Sequence, residues 1–234
     1  MGRDNKKSII IEFNGLPGSG KSTICREMLE IPELFNRSLC TTFSYSPIDK
    51  YLKTVWLNYN CIRFFFAARG YLNNYPNDDN KSRRNDLLLM YFFRMYLSFL
   101  KHENSKILII DQGLVQGLLS VPYNGLLVET KSIDSIIDFL QNNRVSFFRI
   151  NCKSDVQLSK DRIHSRPTNL SRLDLMDESI VASTLQVQSD NLSLIRESFR
   201  RNPFFKDLEI NIDTMLPPKE NVAIISNYLR GLCF

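Results

Sequence analysis

The chain reads as an α/β protein, one parallel β-sheet covered by helices on both faces. Short β-branched or aromatic runs alternate with longer segments of helical character. Two of those runs, Ile9-Ile10-Ile11 and Ile107-Leu108-Ile109-Ile110, are continuously apolar, as central strands buried on both sides are. The segments between strands are mostly too long for hairpins and can hold crossover helices. With 234 residues, 43% of them hydrophobic and 24% charged, residues 1–234 are read as one domain. The same balance, with 9 Gly and 9 Pro, excludes collagen, coiled coil and disorder for the whole chain.

The expected strands are 8–14, 38–44, 106–111, 145–150 and 208–213. A helix is expected over 22–30. An aromatic-rich pair follows at 49–75 and 84–102, parted by the polar turn NYPNDDNKSRR, whose Pro76, Asn77 and Asp78 are turn formers. A third long helix is expected over Glu178–Arg201. There Ile180, Val181, Leu185, Val187, Leu192, Leu194, Ile195 and Phe199 approximate one stripe. The aromatic face of 84–102 could pair two copies of the chain or simply be core. No internal repeat or linker interrupts the pattern.

Charge and cysteine usage narrow the function classes. Thirty basic against 25 acidic residues give +5, which suits anionic ligands such as phosphates and is too small to argue for nucleic acid. The 5 cysteines are odd in number and contain no CxxC, so a reduced, cytoplasmic chain without zinc knuckle is expected. The apolar run near the amino terminus is too short for a signal core. The longest apolar stretch, 87–100, is broken by Arg94 and Ser98, so no membrane span is expected. His102 and His164 lack metal-ligand spacing.

The chemistry concentrates at Gly15-Leu16-Pro17-Gly18-Ser19-Gly20-Lys21-Ser22, which fits GxxxxGK[ST] and is followed by Thr23. Glycines let successive amide N–H groups turn inward around phosphate oxygens. Lys21 adds a point charge toward the β- and γ-phosphates, and Ser22 offers a hydroxyl to Mg²⁺. The motif lies between an expected buried strand and an expected helix, whose positive dipole end would face the same phosphates.

Two further pieces accompany it. Four apolar residues ending in Asp111 place a carboxylate at the carboxyl edge of a central strand, where ligands of open α/β sheets bind. Asp111 is the candidate second Mg²⁺ ligand, unless it merely ends the strand or caps a helix. In CKSDVQLSKDRIHSRPTNLSRLD, Arg162 and Arg166 are four apart and would share a helical face, with Arg172 beyond Pro167. These arginines could close over a nucleotide and offset charge on a transferring phosphoryl group, or form a solvated face paired with Asp155, Asp161 and Asp174. Cys152-Lys153-Ser154-Asp155 nearly forms a guanine-specificity motif. Cys152 stands where Asn would contact the base, which argues against a GTPase.

Together these pieces resemble the P-loop nucleoside and nucleoside-monophosphate kinases, closest to the thymidylate-kinase-like branch. IIEFNGLPGSGKST resembles that family's first strand and phosphate loop. FFAAR, with Phe65 and Arg69, resembles the helix carrying its acceptor-site arginine. Asp111 falls where the family's Asp-Arg pair ends the third strand. Arg162 and Arg166 match its lid arginines, and NIDTMLPPKENVAIISNYL its last strand and helix, whose joining loop borders the adenine base. The resemblance implies a three-layer P-loop fold with a five-stranded parallel sheet, and a helical lid at about 153–176. It also implies ATP and Mg²⁺ as cofactors and phosphoryl transfer to a small acceptor.

The chain departs from the family at the acceptor. Asn14 stands for the acid before the first loop glycine, and Pro17 for an Asp often found inside the loop. Tyr45-Ser46-Pro47 replaces Arg-Glu-Pro, and Asp111-Gln112-Gly113 replaces the Asp-Arg pair. The acceptor therefore stays open. Arg69 favours an anionic one, Asp49 and Asp111 are the nearest bases for a hydroxyl, and Tyr45 or Phe65 could stack on a flat base. Phe64, Phe66, Tyr71 and Tyr75 could stack in the same way, although aromatics at such spacing are more often core. Two other readings remain: a nucleotide-binding switch or ATPase that transfers to no acceptor, and a kinase of a sugar or metabolite.

Overall fold

The computed structural model describes residues 9–31, 38–40, 59–75, 107–122, 126–142, 144–166, 173 and 176–231. The expectations for Tyr45, Asp49, Arg172 and the helix over 84–102 lie outside these residues, as does the side chain of Phe65.

The architecture is α/β, a parallel sheet flanked by helices. In chain order the described elements are β1 (Ile9–Asn14), α1 (Lys21–Leu29), β2 (Ser38–Cys40), α2 (Tyr59–Asn73), β3 (Ile107–Ile110), α3 (Leu114–Ser120) and α4 (Thr130–Asn142). Then follow β4 (Ser146–Lys153), α5 (Val156–His164), α6 (Glu178–Arg201), β5 (Glu209–Asp213) and α7 (Pro218–Gly231). β3, β1, β4 and β5 form the body of the sheet, and the three-residue β2 pairs with the outer side of β3, giving the order β2-β3-β1-β4-β5. All pairings are parallel, with Ile9 opposite both Ile107 and Ser146.

Alternation along the strands divides the core into two layers. Ile9, Ile11, Phe13, Phe148 and Ile150 face α1 and α7, meeting Ile24, Met28, Val222 and Ile225. Ile10, Leu108, Ile110 and Phe147 face the other helices, meeting Phe64, Leu118, Ile136, Ile195 and Phe199. Phe64, Tyr71 and Tyr75 of the aromatic segment belong to this core, whereas Phe66 is 64% exposed. The Tyr71 hydroxyl donates to the Leu118 carbonyl at 2.9 Å, which ties α2 to α3.

Several sequence expectations are corrected. β4 runs on from 150 to Lys153, because Asn151 pairs with Asn14 and Asn211, and Lys153 with Asp213. Ladder partners extend the strand through polar residues that, by sequence alone, read as its end. α3 and α4 were not singled out by the periodicity. α2 covers only 59–73 of the described part of the expected 49–75 helix. α5 ends at His164, so Arg166 does not share a helical face with Arg162. Arg166 precedes Pro167, whose ring disfavours helical backbone in the residue before it.

On the α6 side, polar rows cross three strands toward their carboxyl ends. Glu12, Arg149 and Glu209 lie side by side, then Asn14, Asn151 and Asn211. Arg149 is fully buried. It donates to the Phe205 carbonyl at 2.8 Å, pairs with Glu209 at 3.1 Å and lies 4.5 Å from the Phe199 ring centre. Burial holds its guanidinium down at about 10, against the pull of Glu209. Removing one member of such a pair strands the other in a poor solvent. Arg149→Ala should therefore cost about 3–5 kcal/mol of stability, read as a lower urea midpoint; a midpoint within error of the parent would show the pair to be dispensable.

Candidate functional site

The site grows from the carboxyl end of β1. The strand is buried along its whole length, and at Gly15 the chain turns over the sheet edge into α1. Gly18 and Gly20 take φ of 79° and 87°, a left-handed backbone that suits glycine. Gly18 is also sterically obligatory, since a Cβ there would lie 2.4 Å from the Ser159 carbonyl oxygen of α5. The loop is thus clamped between the sheet and α5, with the first amides of α1 free of helical carbonyls, as at any helix start.

Lys21 opens α1 and folds back into the loop, only 7% exposed. Its Nζ donates to the carbonyls of Gly15 at 2.9 Å and Leu16 at 2.8 Å, with Ser19 Oγ at 3.4 Å. Burial lowers its pKa to about 8. Cys152 and Asp111 oppose that shift, and Arg166 and Arg196 add to it. Among the described residues these four ionisable side chains act on the ammonium electrostatically. Cys152, pushed up to about 12 mainly by burial, remains a thiol and is no nucleophile.

Asp111 follows β3 and faces the loop from the neighbouring strand. Its Oδ1 is buried and has no hydrogen-bond partner among the described residues. A carboxylate oxygen shielded from water and left without a donor fits a cation ligand. The Ser22 hydroxyl, on the exposed side of α1, and Asp111 are the residues that could hold Mg²⁺. No cluster of three or more His, Cys, Asp or Glu suited to a metal occurs among the described residues. Mg²⁺ held by one or two side chains and by substrate phosphates needs none.

Of the expected arginines, Arg162 reaches the loop. It lies across from Gly20 and donates to Thr214, through Nη2 to the carbonyl at 2.8 Å and Nη1 to the hydroxyl at 3.3 Å. It thereby joins α5 to the turn after β5. Arg166 is exposed and acts on Lys21 only through its field. Asp155 caps α5 by accepting from the Leu158 N–H, so its place in the near-guanine motif is a helix cap. Arg69 is exposed on α2, with no described contact to the loop.

Three residues here carried no functional assignment from the sequence. Arg196 of α6 sends Nε and Nη2 to Asn14 Oδ1 at 3.1 and 2.9 Å. Burial holds its guanidinium down at about 10. It also lines a groove of about 690 Å³ with Lys153, Arg200, Asn211, Asp190 and Glu197. Asn14, where the resembled family carries an acid, is taken up by this arginine. The third is Glu12, fully buried on β1. It accepts from the amides of Gly113, Val115 and Gln116, each at 3.0 Å. A glutamate breaking an apolar strand was the available signal. No helix among the described residues is long and apolar enough to cross a membrane. No family model and no curated protein matches the chain.

Burial raises Glu12 to about 7, although those amides pull the other way. A carboxyl whose folded pKa is raised favours the folded state below its unfolded value near 4.5, and this contribution is lost as pH rises to about 7. Relative to Glu12→Gln, the parent should lose about 3 kcal/mol of stability between pH 4 and 8, measured by urea denaturation. Parallel pH curves for the two proteins would contradict this.

Proposed function

We propose that this chain is an ATP- and Mg²⁺-dependent phosphotransferase of the P-loop kinase type, acting on a small acceptor, a nucleotide or nucleoside, with an anionic one favoured. The observation that carries the reading is the loop itself. Two left-handed glycines, a buried lysine at the first position of the following helix and an unpartnered Asp111 oxygen converge at the sheet edge.

In this reading the amides at the start of α1 receive the donor phosphates, and Lys21 exchanges its carbonyl partners for phosphate oxygens. Mg²⁺ held at Ser22 and Asp111 would offset charge on the β- and γ-phosphates. Arg162, fixed by Thr214, borders the nucleotide from the α5 side. Arg166, exposed beyond the end of α5 and within the field of Lys21, would add positive charge as negative charge builds on the transferring group. Arg196 holds a cation on the α6 side of the loop, and its partner Asn14 is neutral, so that charge is not cancelled by the residue it grips. This supports an anionic acceptor. The acceptor-site residues Tyr45, Phe65, Arg69 and Arg172 belong to the same proposal on the strength of the resemblance alone.

Titration calorimetry with Mg²⁺ and ATP should give binding heat, and no heat or thermal shift with either purine triphosphate would end the proposal. Lys21→Ala should lower turnover about a hundredfold or more without unfolding the chain, read as ADP release across an acceptor screen. Undiminished turnover would refute the site, and ADP release indifferent to every acceptor would identify an ATPase instead. Affinity for the triphosphate should fall above about pH 8, where buried Lys21 loses its proton, by up to about tenfold per pH unit.

A further inference from the structure

We infer that Glu12 is a positioning residue for the metal ligand Asp111, an inference that rests on the reading of Asp111 given above. Glu12 does not reach the loop or a ligand. Its two carboxylate oxygens are consumed by the start of α3, directly after the turn that carries Asp111: Oε1 accepts from Gly113, which precedes the helix, and from Gln116, and Oε2 from Val115. These backbone amides lie two to five residues beyond Asp111, so the carboxylate fastens the end of that turn to the start of α3. Glu12 and Ile110 are opposite one another in the β1–β3 ladder, which leaves no slack between the two strands at that point.

Gly113 shows how closely the pieces fit. A Cβ at that position would lie 2.4 Å from Glu12 Cδ and 2.5 Å from Oε2, so only glycine admits the carboxylate. The sequence Asp111-Gln112-Gly113 thus has a physical reading. Its glycine is the room that Glu12 needs. Three residues after Glu12 the same strand enters the phosphate-binding turn. One rigid, fully buried segment therefore sets both the loop and the carboxylate that would share its metal.

The inference is tested with Mn²⁺ as the probe, its affinity for the complex of the full chain with a non-hydrolysable ATP analogue being read by electron paramagnetic resonance. Metal-free affinity for the analogue is measured alongside. Glu12→Gln should weaken Mn²⁺ about tenfold, as loss of a partner behind a metal ligand does, and leave metal-free nucleotide affinity within about twofold. Gly113→Ala, whose added Cβ would push the carboxylate off these amides without removing it, should weaken Mn²⁺ in the same way, and it is the second variant read should Glu12→Gln not fold. Added to Asp111→Asn, Glu12→Gln should cause no further loss, because it acts through that residue. Unchanged Mn²⁺ affinity, a parallel fall in metal-free affinity, or losses that add in the double variant would each overturn the inference and leave nucleotide binding standing. A parent chain that binds no nucleotide would overturn both.

Discussion

Complete burial of β1 is the constraint on which the rest of this molecule depends. A strand covered on both faces has no water to receive its polar groups, so partners must come from within the protein; among the described residues only Asn14 Nδ2 of β1's side-chain atoms is left without one. Glu12 takes three amides of the turn after β3, and Asn14 takes the guanidinium of Arg196. The carbonyls just beyond, at Gly15 and Leu16, take the ammonium of Lys21. Three different parts of the chain are thereby drawn to one edge of the sheet by unmet hydrogen-bonding capacity.

The same logic extends outward across β4 and β5. Under α6, Glu209, the Phe205 carbonyl and the Phe199 ring offset part of the desolvation of Arg149. α6 has an apolar side, with Val181, Leu185, Leu192, Ile195 and Phe199 buried, and an arginine-bearing side at Arg196 and Arg200. It closes the core with the first and brings positive charge over the polar rows with the second. Apolar packing and electrostatics are separated on one helix by its own geometry.

Much of the fold was legible because its signals are local. The run Ile107–Ile110 is a buried strand, the span Glu178–Arg201 is one helix, and the glycine-rich turn joins β1 to α1. What stayed hidden depends on partners distant in the chain. Asn151 and Lys153 read as strand-ending polar residues until their ladder neighbours are known. Spacing alone groups Arg166 with Arg162, whereas α5 ends at His164, between them.

The order of residues alone determined that this is a layered α/β chain, and that a glycine-rich turn fitting GxxxxGK[ST] stands at the end of its first strand. Those features are written in nearest-neighbour terms: apolar periodicity, glycine placement, and a lysine at a set offset. Tertiary structure alone decided that Glu12 and Gly113 interlock across 101 positions, that Arg196 grips Asn14 across 182, and that Lys21 is enclosed by carbonyls. Hydrogen bonds between residues so far apart arise only when the sheet brings their strands together, because burial then leaves each polar group those neighbours and no water.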